Sequence, residues 1–209
     1  DFMEERIWIP GEAGVIEALM SAASMEKAAV ICHPHSLMGG SMYNNVVEAI
    51  QRAFAAGNHT TLRFNFRGVG ASGGRYDEGV GEQADLRAVC AYLKKRGIKN
   101  LIFAGYSFGS WVGSKVIAAQ DNPFAWSFFV SPPMDYFDFD WESLKGKVDF
   151  ILCGDADSFC DAGLLKNQAR GIKADVKIIS GADHFYVGKE KALISVLREK
   201  LCRQAGKKN

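Results

Sequence analysis

The 209-residue sequence contains no uncharged apolar run near the ~18 residues that a bilayer-spanning helix requires, so no segment is expected to cross a membrane. It has no charge imbalance either. Its 25 Lys and Arg face 24 Asp and Glu, and the basic residues are spread along the chain. That balance argues against nucleic acid or an anionic membrane as a principal partner. The short basic run Gly206-Lys207-Lys208-Asn209 reads as a frayed end, not a binding arm. Cysteine pairs at zinc-site spacing are missing. The five cysteines (Cys32, Cys90, Cys153, Cys160, Cys202) are scattered, and Cys32 and Cys153 fall inside apolar runs. Such usage suits reduced, mostly buried thiols in a reducing compartment. Repeats, low-complexity tracts and linkers are also absent, and the length suits a single domain over 1–209. The opening Asp1-Phe2-Met3-Glu4-Glu5 is acidic where a secretory signal would be basic, so a cytoplasmic location is expected.

What is present is a regular alternation of short apolar runs and helical stripes. Strands are expected near 2–9 and 15–20, joined by a turn at Pro10-Gly11, then at 28–32, 60–64, 100–104, 125–130, 148–153 and 176–179. Tyr43, Val46, Val47, Ile50 and Phe54 form one helical stripe that Gly57 ends. Leu86, Val89, Cys90 and Leu93 share the face of a second helix, closed by Gly97. Further helices are expected at 108–119, 164–170 and 189–202. Strands alternating with helices mean an α/β fold with a mostly parallel central sheet and helices on both faces. Ligands then sit at the carboxyl ends of the strands.

Gly105-Tyr106-Ser107-Phe108-Gly109 matches G-x-S-x-G between an expected strand and an expected helix. This is the nucleophile-elbow arrangement: the serine is held in a strained turn with Oγ exposed, and side chains at the flanking glycines would collide with neighbouring elements. A competing reading is a tight turn with an incidental serine. A working serine needs a base, and the base an orienting acid, in the chain order serine, acid, histidine. Of the four histidines only His184 follows Ser107, in the loop Gly181-Ala182-Asp183-His184-Phe185. The acid is expected at the end of the 148–153 strand, in Gly154-Asp155-Ala156-Asp157. Asp157, past the turn, is the first choice. Asp155 is the rival, better suited to bonding the loop backbone. Asp161 fits a helix start, and Asp183 is too close in sequence to orient its neighbour.

Two other motifs compete for attention. His33-x-His35 invites a metal, but no third ligand has a recognisable spacing, so none is expected. The segment 33–40 suits an oxyanion-hole loop, in which the backbone N–H of His35 (or of Ser36) joins that of Phe108. His33 is then a structural residue that holds the loop. Gly68-Val69-Gly70-Ala71-Ser72-Gly73 matches G-x-G-x-x-G, yet its last glycine opens no helix, so no nucleotide is expected. Those glycines are expected to pass close to the active-site floor.

The segments His33-Pro34-His35, Gly39-Gly40-Ser41-Met42, Leu62-Arg63-Phe64-Asn65-Phe66-Arg67-Gly68-Val69-Gly70, the 105–109 elbow and Asp183-His184-Phe185 together resemble one bacterial group. It comprises the small, lidless α/β-hydrolases related to dienelactone hydrolases and to the catalytic domains of prolyl oligopeptidase-type peptidases. The resemblance implies an esterase-like serine hydrolase with Ser107, Asp157 and His184 as its triad, no cofactor, and a small-molecule ester as partner. Dienelactone hydrolases proper use cysteine, from which Ser107 departs, and Ser36 stands where the group usually has a second proline. A peptidase or amidase and a thioesterase would share the triad, and a non-catalytic binding protein could keep the fold. Residues 131–147 leave room for a turn and a short helix but not a cap, so short-chain substrates are expected. Their aromatics Tyr136, Phe137, Phe139 and Trp141 either line an acyl pocket, pack on the core, or form a homodimer contact.

Overall fold

Short apolar runs that must hide both faces find their solution in one eight-stranded sheet between two helical layers. The computed structural model describes residues 3–206. Its strands are β1 (Glu5–Gly11), β2 (Gly14–Ser21), β3 (Lys27–Cys32), β4 (Thr60–Phe64), β5 (Asn100–Tyr106), β6 (Phe124–Val130), β7 (Phe150–Gly154) and β8 (Asp175–Ile179). Their order is β1-β2-β4-β3-β5-β6-β7-β8. The β1/β2 and β2/β4 pairs are antiparallel and every other pair is parallel.

Strand periodicity sorts the core into two layers. On one face Val30, Leu101, Phe103, Phe129 and Ile151 meet α2 (Val80–Lys95), α3 (Phe108–Ala118) and α4 (Ala162–Ile172). On the other, Ile31, Ile102, Ala104, Phe128 and Leu152 meet α1 (Asn45–Ala56) and α5 (Glu190–Gly206). Each fully buried Phe or Ile contributes about 1.5–3 kcal/mol relative to exposure. Helix ends are set locally. Asn44 accepts from the Val46 and Val47 N–H groups, and Asp161 from the Leu164 N–H.

Several boundaries differ from the sequence reading. Pro10 and Gly11 lie inside β1, and the turn is Glu12-Ala13. β1 is an edge strand, where a residue without an N–H is tolerated. Tyr43 continues the α1 stripe in sequence but precedes the Asn44 cap and is exposed. β5 runs two residues further than expected, directly into Ser107. Residues 131–149 form turns with no helix. Phe2 and the tail residues 207–209 lie outside the described residues.

Candidate active site

The elbow is built by close packing. Ser107 has φ 53° and ψ −123°, a conformation that costs a non-glycine residue ~1–3 kcal/mol and persists only because its surroundings hold it. Its N–H donates to the Val130 carbonyl, tying it to β6. A Cβ on Gly109 would stand 2.6 Å from the Cys32 carbonyl oxygen and 2.7 Å from that of His33. Only glycine lets α3 approach β3 this closely, and that approach brings residues 33–35 beside the start of α3.

Three side chains predicted from the sequence meet here. Ser107 Oγ lies 2.9 Å from His184 Nε2. His184 Nδ1 lies 2.9 and 3.0 Å from the two carboxylate oxygens of Asp157, whose side chain is fully buried. The carboxylate needs a donor at Nδ1, so the proton sits there and leaves Nε2 free to accept from the serine hydroxyl. Asp157 Oδ1 also accepts the Phe159 N–H at 2.9 Å. Asp155 points elsewhere, accepting the Gly181 N–H at 2.7 Å and so clasping the His184 loop. Asp183 accepts the N–H groups of Phe185 and Tyr186 within its own turn, and Asp161 caps α4.

Further residues position the His184 ring. Tyr106, the variable residue of the elbow before the serine, donates its hydroxyl to the His184 carbonyl at 2.7 Å. Burial, then Asp157 and Asp183, hold the Tyr106 phenol well above its ordinary pKa, so it remains a donor. Phe159 stacks on the His184 imidazole at 4.3 Å, and Phe185 meets it edge-on at 5.6 Å. Neither Phe159 nor Tyr106 carries a sequence signal beyond its proximity to a motif.

The first loop resolves the paired histidines. His33 is buried between the Pro34 carbonyl, 2.6 Å from Nδ1, and the Phe66 N–H, 3.0 Å from Nε2. An acceptor at Nε2 requires the proton on Nδ1, so His33 is neutral. Burial lowers its pKa to about 4. His35 is partly exposed. Its carbonyl accepts from Met38 and Gly40, and its ring packs 4.8 Å from Phe108. The backbone N–H groups of His35 and Phe108 have no acceptor among the described residues. The Ser36 hydroxyl is buried and likewise without a partner. Among the described residues, no three His, Cys, Asp or Glu side chains gather as a metal site.

Gly70 and Gly73 do not line the site floor, which corrects the sequence reading for them, whereas Gly68 stands against the backbone of Arg75 and Tyr76. A Cβ on Gly70, at φ 55°, would meet the Asn65 amide at 2.4 Å and the Glu17 carboxylate at 2.6 Å. The Gly73 N–H donates to Val15. The loop therefore packs on the β1–β2 hairpin. Of the 136–141 aromatics, Phe137 joins the site cluster, 4.7 Å from Trp111 and 5.8 Å from Phe108. Phe139 and Trp141 stack on each other, with Phe139 against Phe129 on β6. Exposed Tyr136 stands 4.9 Å from Phe159.

No family model matches the chain. An uncharacterised protein of Rickettsia prowazekii (strain Madrid E) is 36% identical over 197 residues, covering 87% of this chain and 82% of that one. The structure of an α/β serine hydrolase homologue from Coxiella burnetii superposes with a TM-score of 0.86 at 34% identity, over 94% of this chain and 97% of that one. XC6422 of Xanthomonas campestris, described as an α/β serine hydrolase without lid, gives a TM-score of 0.85 at 28% identity, over 98% and 96%.

Proposed function

This chain belongs to the α/β serine hydrolases, and from that premise we propose that it cleaves carboxylic esters of short-chain acids through an acyl-enzyme, with Ser107, His184 and Asp157 as triad. The observation that carries the reading is the unbroken hydrogen-bond chain from Ser107 Oγ through the His184 ring to Asp157. His184 Nε2 takes the serine proton as Oγ attacks the ester carbonyl carbon. The unpartnered N–H groups of Phe108 and His35 receive the oxyanion, the kind of preorganised donor pair that lowers such barriers most. His184 then returns its proton to the departing alcohol. Water, activated by the same nitrogen, releases the acid and regenerates Ser107. Asp157 keeps the proton on Nδ1 and stabilises the imidazolium. The four buried cysteines are free thiols, which suits the cytoplasm.

The test is labelling by a fluorophosphonate, read by mass spectrometry, beside turnover of a soluble p-nitrophenyl ester. The expected result is one adduct on Ser107, complete loss of ester turnover on labelling, and slower turnover of the matching anilide. An adduct elsewhere, or full turnover after labelling, overturns the assignment.

A further inference from the structure

No motif singles out Tyr76, yet its hydroxyl lies 3.2 Å from His35 Nε2, and its ring stands 5.0 Å from the His35 ring and 5.8 Å from that of Phe108. The loop that carries it is pinned on both sides. Arg67 makes a buried ion pair with Asp85, 2.9 Å at its shortest. Glu82 accepts the N–H groups of Asp77 and Gly79.

His35 fixes the direction of the hydrogen bond. The Leu37 N–H donates to His35 Nδ1 at 3.2 Å, so that nitrogen carries no proton. Burial lowers the His35 pKa and keeps the ring neutral. Its single proton is therefore on Nε2 and is donated to the Tyr76 oxygen. The phenol's own proton is left with no protein acceptor among the described residues. A donor whose oxygen already accepts a hydrogen bond is a stronger donor.

We propose that the Tyr76 O–H is a specificity-determining donor to an oxygen on the substrate's acyl chain, so that the site favours acyl groups bearing an ether, hydroxyl or keto oxygen over plain alkanoyl groups. This rests on the serine-hydrolase reading. The position follows from how a tetrahedral intermediate must lie. Its oxyanion faces the backbone N–H of His35, whereas the Tyr76 hydroxyl meets the far nitrogen of that residue's imidazole. The leaving group must face His184 Nε2, and His184 packs among Phe159 and Phe185, a different set of rings. Tyr76 groups with the oxyanion loop and Phe108, which leaves the acyl side.

The experiment compares p-nitrophenyl methoxyacetate with p-nitrophenyl butyrate, which differ by an ether oxygen in place of one CH₂. The ratio of their kcat/KM values is measured for the wild type and for Tyr76→Phe. Intrinsic ester reactivity cancels between the two proteins, and a purely structural role for Tyr76 moves both substrates alike. The ratio should fall roughly three- to tenfold in the variant, the effect of one neutral hydrogen bond. An unchanged ratio overturns the proposal. A wild-type measurement covers a variant that fails to fold: its ratio must exceed that of hydroxide-catalysed hydrolysis by a similar factor, and equality overturns the proposal. Failure of Ser107 to label and of both esters to turn over would instead bring down the hydrolase reading, and this proposal with it.

Discussion

Asp157→Asn tests how the carboxylate works. Both of its oxygens lie within 3.0 Å of His184 Nδ1. The Phe159 N–H selects the amide oxygen for the Oδ1 position, so in an asparagine the NH₂ group takes the Oδ2 position, 3.0 Å from Nδ1. A donor there opposes an N–H on Nδ1 and favours the imidazole that carries its proton on Nε2 instead. Nε2 then points a donor at Ser107 Oγ, 2.9 Å away, and can no longer take the serine proton. The intermediate's imidazolium also loses its counter-charge. Neutralising the acid of a serine-protease triad costs roughly 10⁴ in turnover, or about 5.5 kcal/mol of barrier. The same loss is expected here, with the fold retained because the replacement is isosteric. Asp155→Asn is the control. Its side chain accepts only the Gly181 N–H, which an amide oxygen accepts equally well. Its kcat should stay within about threefold of wild type, since neutral and charged acceptors differ modestly at an exposed site. The assay is steady-state hydrolysis of p-nitrophenyl butyrate, with circular dichroism as the check on folding. Asp157→Asn retaining a tenth of wild-type kcat, or Asp155→Asn losing more than Asp157→Asn, would refute this reasoning.

Three further outcomes are expected. His33, held neutral with a pKa of about 4, binds a proton in the unfolded chain near pH 6.5 but not in the folded one. Stability should therefore fall with decreasing pH by about 1.4 kcal/mol per unit across that window. Urea melts at pH 7, 5.5 and 4.5 measure this, and a slope no shallower in His33→Gln contradicts it. Gly109→Ala drives a methyl into two backbone carbonyls and should cost about 1–3 kcal/mol, seen as a lowered melting temperature; an unchanged one contradicts the close-packing account of the elbow. Because residues 131–149 form no cap, acetyl to hexanoyl esters should outpace palmitoyl esters, each buried CH₂ being worth roughly 0.8 kcal/mol only where a groove exists to bury it. A clear optimum at long chains, measured on soluble monomeric substrate, would contradict this.

Which features were legible follows from how local their causes are. β4 was read to the residue because turns and polar residues bound a wholly buried strand. The elbow was legible because its five residues are contiguous between a strand and a helix, even though Gly109 answers to the distant carbonyls of Cys32 and His33. The different contacts of Asp155 and Asp157 were legible because turn geometry sends neighbouring side chains in different directions. The position of Pro10 was not, since only the sheet order reveals that β1 is an edge. The role of Gly70 and Gly73 was missed because their partners, Glu17 and the hairpin, are some fifty residues distant in the chain. Tyr76, 41 residues from His35, and Phe159, 25 residues from His184, meet the site through loops, whose side chains show no periodicity.

The proposed nucleophile and its proposed base stand on unequal ground. Ser107 follows β5, which has a parallel neighbour on each side and is buried from Leu101 onward. His184 follows β8, a five-residue strand at the margin with one neighbour and only Ile179 fully buried. Proteins open piecemeal, and a short marginal strand belongs to the segments that open with the least free energy. When β8 frays, the imidazole over the serine depends on ties made outside that strand, among them those to Asp155, Tyr106 and Asp157. Heat would then silence the chemistry while the central strands stay folded, and would do so reversibly. The lifetime of the activity is accordingly a property of one margin of the sheet, and strengthening that margin would prolong it more than any improvement to the already dense centre.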